Sequence, residues 1–175
     1  MNTNIWTKKF LAIIGSALMG LMLATVAYAA VQTVTAEVEF ANPVSFGTVT
    51  ALKFGILDVG LLDTESITIG TDDLPSGDTG RIIGGTQAAA DLTVTAEASQ
   101  TISIQVSNIS NNTGYTLGSF TCNYNSDADT ACQASAYTQT SVASATLWVG
   151  ATLTGTGTAI PGPFNGSFDV TIAYQ

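Results

Sequence analysis

The segment SFDVTIAY, residues 167–174, alternates polar and apolar side chains along its length. Its large apolar positions are Phe168, Val170, Ile172 and Tyr174. Because successive side chains of an extended chain point to opposite faces, these four side chains share one face. The pattern predicts a β-strand with one buried face and one exposed face.

Other stretches of the chain repeat this period of two. No stretch after Ala30 carries apolar residues at helical spacing for long enough to predict a helix. Clusters of Gly, Pro and Asn, which favour turns, separate the alternating stretches. We therefore predict an all-β domain, an immunoglobulin-like sandwich of two sheets with Greek-key connections. The other predicted strands are 31–40, 65–70, 92–96, 101–106 and 147–153.

Composition limits the classes of function. The 175 residues are 46% apolar, which is enough for the core of one domain, and the net charge is −9. Such a chain repels nucleic-acid phosphates and anionic lipids. It contains no histidine, so the usual general base and the commonest metal ligand are missing. We expect a structural or binding protein without catalytic residues, metal or cofactor.

The first 29 residues have the features of a secretory signal peptide. Lys8 and Lys9 precede an apolar stretch, and Ala27-Tyr28-Ala29 matches the small-x-small cleavage pattern. An uncleaved membrane anchor is the alternative interpretation, since the apolar stretch approaches spanning length. We predict cleavage after Ala29 and export, with no membrane insertion of the mature chain.

The mature chain then divides into an extension, 30–42, and a sandwich domain, 43–175. In the extension Val34, Ala36, Val38 and Phe40 line one face of a predicted strand, and the sequence Asn42-Pro43 interrupts the alternation. Two interpretations are open. The segment is an edge strand of its own domain, or it fills a vacant strand position in a neighbouring copy.

Two Phe-Gly pairs follow the extension. For Phe46-Gly47 and Phe54-Gly55 we predict a core phenylalanine beside a glycine that permits a bulge or close backbone packing.

Cys122 and Cys132 are the two cysteines of the chain. In an exported protein, a pair with this spacing predicts a structural disulfide across a hairpin or loop. A ring of this size stabilises the fold by about 2–3 kcal/mol. A redox pair is the alternative, but the spacing is not Cys-x-x-Cys and no cation is nearby in sequence.

Few residues suggest a ligand site. Asn123, Asn125, Asp127 and Asp129 alternate oxygen ligands as calcium would use them, but a solvated polar loop is the favoured interpretation because an EF-hand glycine and glutamate are absent. Trp148 is a candidate sugar platform, although a packing role is more common for such a residue.

The blocks at 33–38, 52–56, 92–95, 149–153 and 163–174 resemble the successive strands of the bacterial family catalogued as domain of unknown function 4402. The resemblance implies an exported pilin-type sandwich, similar to chaperone–usher fimbrial subunits, and it brings no catalytic residues. The cysteine loop at 121–133 departs from the commoner family pattern.

We therefore expect a non-enzymatic subunit of an extracellular fimbria, transiently periplasmic. Its partners would be other copies of itself, with a periplasmic chaperone and an outer-membrane usher, and no nucleic acid. Its N-terminal strand would enter a groove lined by Phe168, Val170, Ile172 and Tyr174 of a neighbour. The rival expectation is a self-contained secreted or surface binding module, with carbohydrate as a possible ligand.

Overall fold

The computed structural model describes residues 32, 35–60, 63–111, 113–157, 161–164 and 166–175. These residues form β-strands and one short 3₁₀ helix, Thr79–Arg81. The strands are β1 Ser45–Thr50, β2 Lys53–Leu57, β3 Ser66–Ile69, β4 Pro75–Gly77, β5 Ile82–Ala88, β6 Ala90–Thr95, β7 Thr101–Ser110, β8 Tyr115–Tyr124, β9 Thr130–Ala131, β10 Tyr137–Thr140, β11 Ser144–Gly155 and β12 Ser167–Tyr174. The predicted all-β class is confirmed.

Strand β11 organises the larger sheet. Along one side it pairs first with β6, at Ser144–Val149, and then with β3, at Ala151–Thr154. Along its other side it pairs with β8. Strand β1 extends the sheet beyond β6, β4 extends it beyond β3, and β9 extends it beyond β8. All of these pairings are antiparallel.

The smaller sheet has the order β10–β7–β12, and strands β2 and β5 form a separate two-stranded sheet. The inner faces of the larger and the smaller sheet share one hydrophobic core. Burial of these aliphatic side chains is the main favourable contribution to the stability of the domain. The core side chains with 0% exposure include Val94, Ile102, Ile104, Leu147, Val149 and Ala151.

Most strands that the alternation predicted are present. Ile67 and Ile69 on β3 are both 0% exposed, and Ile102, Ile104 and Val106 of β7 point into the core as expected. Strands β6, β11 and β12 cover the other three predicted segments.

The segment 31–40 differs from the prediction. Residues 35–40 form no strand in this structure, while Val31, Val34 and the leader at 1–29 lie outside the described residues. Alternation alone does not produce a strand, because a strand also requires a neighbouring strand with which to make ladder hydrogen bonds. Residues 40–175 form one compact unit.

Strand β8 was not predicted because its alternation is broken. Leu117 and Phe120 are both buried although they lie three positions apart, which a period of two does not allow. Cys122 and Tyr124, also buried, then resume the period of two. The pairing with β11 shifts register between Gly150 and Thr152, opposite Ser119, whose φ is +49°. A bulge therefore returns the later half of β8 to the core face.

Gly150 allows the closest backbone approach within the larger sheet. A Cβ at this position would lie 2.5 Å from the carbonyl oxygen of Ile69 and 3.0 Å from the carbonyl carbon of Gly70. Both of these atoms belong to the backbone, so a methyl group here requires β3 to move away from β11.

We predict that Gly150→Ala lowers the free energy of unfolding by about 1–3 kcal/mol, because the added methyl group overpacks a site with no free volume. Gly84→Ala is the matched control, since a Cβ there would meet no atom within 4 Å. Urea denaturation followed by circular dichroism measures both variants. Equal stability of the two variants would contradict the prediction.

Candidate functional site

The two long edges of the domain differ. On one side, Cys132 connects the two sheets: its N–H donates to the Phe120 carbonyl on β8 at 3.1 Å, and its carbonyl accepts from the Val106 N–H on β7 at 2.8 Å. The predicted disulfide, Cys122–Cys132, is present and both cysteines are 0% exposed. This side of the core is therefore closed by covalent and hydrogen bonds.

On the other side, β1 ends the larger sheet and β12 ends the smaller one. The Tyr174 hydroxyl places these two edges together. It donates to the Asn42 carbonyl, just before β1, and accepts from the Glu97 N–H, just after β6, both at 2.6 Å. We call β1, β12 and the space between them the open edge.

Strand β12 is an edge strand of the smaller sheet. It forms a ladder with β7, and no described strand pairs with its other side. Its predicted acceptor residues do share the core face: Val170, Ile172 and Tyr174 lie opposite Val106, Ile104 and Ile102. All three, like Phe168, are only partly buried.

Strand β1 carries apolar side chains that face the core side of the larger sheet but are exposed. Phe46 lies opposite Val94 and Val49 lies opposite Leu92, and residues directly opposite in a ladder share a face. Val94 and Leu92 are buried, at 0% and 6% exposure, whereas Phe46 is 42% and Val49 is 62% exposed. Apolar side chains of β1 thus point toward the core side of the sheet but are not covered.

A cavity of about 670 Å³ lies at one end of the open edge. Its lining includes Leu52, just after β1, and Phe164, just before β12. Tyr115 packs edge-on against Phe164 with a centroid distance of 6.0 Å, and Phe54 and Ile56 of β2 complete the apolar wall. The open edge therefore extends from the Tyr174 hydrogen bonds to this cavity.

The predicted donor residues are exposed where the structure describes them. Val38 is 76% and Phe40 is 86% exposed, and Ala36 is exposed as well. Val34, the first residue of the predicted face, lies outside the described residues.

The prediction for the two Phe-Gly pairs was partly wrong. Gly55 has a φ of +84° at a register shift between β2 and β5, which is the expected bulge beside the partly buried Phe54. A register shift also occurs in β1 between Phe46 and Val49. Phe46, however, is 42% exposed and not a core residue, because no strand lies over it.

The ion pairs found among the described residues centre on Arg81. Arg81 binds Glu65 at 2.8 Å and Asp58 at 3.1 Å, and its pKa is raised mainly because the guanidinium donates hydrogen bonds to the Glu65 carboxylate. Burial raises the pKa of the Tyr137 phenol above its ordinary value. In the described ranges, no three His, Cys, Asp or Glu side chains are placed to hold a metal ion.

The family model described as Domain of unknown function (DUF4402) matches residues 38–174, which include both edges and the cysteine loop. The chain belongs to this family. No curated protein and no solved structure matches this DUF4402 protein. No helix among the described residues of the DUF4402 protein has the length and apolar character needed to cross a membrane.

The exposed residues of β1, Phe46 and Val49, were missed as site residues by the sequence analysis. Their apolar character is visible in the sequence, but their lack of cover depends on the width of the opposite sheet. Alternation predicted that Phe168, Val170, Ile172 and Tyr174 share one face of β12, and in the structure all four pack against the core while remaining partly buried.

We predict that Tyr174→Phe lowers the free energy of unfolding by about 1–2 kcal/mol, because the Glu97 N–H loses its acceptor and the Asn42 carbonyl its donor. Hydrogen exchange at the Glu97 amide should become faster. Tyr115→Phe is the matched control, since the Tyr115 hydroxyl has no partner among the described residues. An unchanged rate of hydrogen exchange at the Glu97 amide would contradict the role of the Tyr174 hydroxyl in joining the two strands of the open edge.

We predict that reduction of Cys122–Cys132 lowers the free energy of unfolding by about 2–3 kcal/mol, because the bridge restrains the unfolded chain. Thermal unfolding with and without reductant measures the change, and the double variant Cys122→Ala/Cys132→Ala, which cannot respond to reductant, is the control. A melting temperature of the parent protein that is insensitive to reductant would disprove a stabilising role.

Proposed function

We propose that this DUF4402 protein is a non-enzymatic structural subunit of an extracellular, fimbria-like filament. The N-terminal segment 31–40 of one subunit adds as a strand beside β12 of its neighbour and covers the open edge. The observation that carries the proposal is the exposure of Phe46 and Val49, which point toward the core side next to the free edge of β12.

The donor segment matches this vacancy chemically. Its exposed Val38 and Phe40 supply apolar side chains at the spacing of a strand, and its backbone supplies the missing ladder partner. Burial of Val34, Ala36, Val38 and Phe40 would contribute about 5–8 kcal/mol, before the new backbone hydrogen bonds are counted. This is sufficient for a persistent joint between subunits.

The geometry of donation determines the assembly. A subunit that gives its segment to one neighbour and receives a segment from another makes head-to-tail contacts, which build an open filament when the rotation between subunits does not close a ring. The product is a filament of copies of this chain. In this proposal the completed domain is an immunoglobulin-like, pilin-type sandwich.

A subunit with an uncovered apolar edge requires protection before assembly, because such an edge promotes aggregation. We therefore propose that the leader at 1–29 directs export, and that a periplasmic chaperone and an outer-membrane usher then bind the subunit before assembly. A mature chain with Lys53 and Arg81 as its cations against 13 acidic residues is not suited to nucleic acid.

We predict that two kinds of variant abolish filaments in complementary ways. The double substitution Val38→Asp/Phe40→Asp destroys the donor, and Val49→Asp destroys the acceptor, because each places a carboxylate in the new apolar contact. Both changes fall on exposed side chains, so each subunit should remain folded. Electron microscopy and sedimentation of the exported protein measure assembly.

The matched control is Glu37→Gln/Glu39→Gln, on the opposite face of the same segment, which should leave filaments intact. When the two defective variants are mixed, the Val49→Asp chain still has a donor and the Val38→Asp/Phe40→Asp chain still has an acceptor. They should form a dimer of one copy each and nothing longer. Filaments from either variant alone would refute strand donation and favour a self-contained binding module.

A further inference from the structure

A second cleft lies on the outer face of the larger sheet. Its volume is about 320 Å³, and one aromatic ring and several polar side chains form its walls. The lining residues are Thr71, Asp72, Asn123, Ser126, Asp129 and Trp148. The open edge uses the inner faces of both sheets, so this cleft is independent of strand donation.

Strand β11 places Trp148 at this cleft. The flanking residues Leu147 and Val149 are 0% exposed and point into the core, so Trp148 points outward. Across the outer face it lies opposite Asp91 on β6 and Asn123 on β8. The indole N–H has no acceptor among the described residues.

A hydrogen-bonded network holds the polar wall. Asp129 Oδ1 accepts from Thr71 Oγ1 at 2.5 Å and from Asn123 Nδ2 at 2.9 Å, and Asn123 Nδ2 also donates to the Asp127 carbonyl at 2.6 Å. Because Thr71 is only 9% exposed, it anchors the Asp129 carboxylate to the end of β3. The wall is therefore fixed before any ligand arrives, which reduces the entropy lost on binding.

This network leaves hydrogen-bonding capacity unused. The second oxygen of Asp129 has no partner in the described part of the chain, and Asp72 uses only Oδ1, which accepts from the Leu74 N–H at 3.1 Å. Asn123 Oδ1 is buried without any partner among the described residues, an arrangement that costs free energy and is uncommon in native proteins.

The combination of groups selects the class of ligand. The free carboxylate oxygens accept hydrogen bonds, whereas the Trp148 indole N–H and the Ser126 hydroxyl can donate them. A sugar hydroxyl does both, and the C–H face of a pyranose ring packs on an indole. An anion would be repelled by Asp72 and Asp129, and a cation would leave the donors unsatisfied.

We propose that the cleft at Trp148 binds a neutral saccharide of the hexopyranose type. The indole supplies the stacking surface, Asp72 and Asp129 accept hydrogen bonds from hydroxyls, and Ser126 donates to one. In a filament this places one saccharide site on the outer sheet of every subunit.

The chain contains two tryptophans, Trp6 in the leader and Trp148. In a Trp6→Phe background, Trp148 is the single tryptophan and its fluorescence reports on the cleft directly. We expect D-glucose, D-galactose, D-mannose or N-acetyl-D-glucosamine, added into the millimolar range, to cause a saturable change in the emission of the exported protein. Choline, a cation that also stacks on indoles, is titrated in parallel.

Asp72→Asn and Asp129→Asn each keep the Oδ1 acceptor of the network and replace the free carboxylate oxygen with an amide. Each should weaken saccharide binding about tenfold, the effect of losing one charge-assisted hydrogen bond. Asp63→Asn removes an equal charge beside Gly157, outside the cleft lining, and should change nothing. Trp148→Ala, measured by calorimetry, should abolish binding.

A saturable response to choline but to no sugar would overturn the assignment in favour of a cation site. No response to any probe, or equal weakening by Asp63→Asn, would also overturn it. Filament formation is measured on the same samples. The Val49→Asp variant should lose filament formation but bind saccharide as the parent protein does. A failure of the saccharide proposal can therefore be distinguished from a failure of the filament proposal.

Discussion

The structure depends on a mismatch of width between two sheets that share one core. The smaller sheet, β10–β7–β12, ends at β12, whereas the larger sheet continues past β6 to β1. A sheet of limited width cannot cover a wider one, so the core-side residues Phe46 and Val49 remain exposed. The hydrophobic effect favours any additional strand that covers them.

The two sheets are joined by the cysteine loop at the opposite edge of the domain, unlike at the edge between β1 and β12. There, Cys132 binds both sheets through its backbone and is joined covalently to β8. The cysteine loop thus connects the two sheets on the side of the core where β9 and β10 are the edge strands, whereas on the other side Tyr174 joins the edges at one end only. In the proposed filament, the edge between β1 and β12 is the one that receives the strand of the neighbouring subunit.

Sequence reasoning succeeded where local patterns are simple. Alternation located β3, β7, β11 and β12 with the correct core face, and the spacing of the cysteines indicated their disulfide. It missed β8, because the bulge at Ser119 interrupts the period of two. Sequence analysis also placed Phe46 in the core, because a local pattern does not show whether a strand of the other sheet covers a residue.

The sequence by itself therefore determined the all-β class and the buried face of most predicted strands, because each follows from side chains a few residues apart. The tertiary structure alone decided which faces are covered, that residues 35–40 form no strand, and that Trp148 meets Asn123 and Asp129 in one cleft. These features depend on contacts between segments distant in sequence, and no local period specifies them.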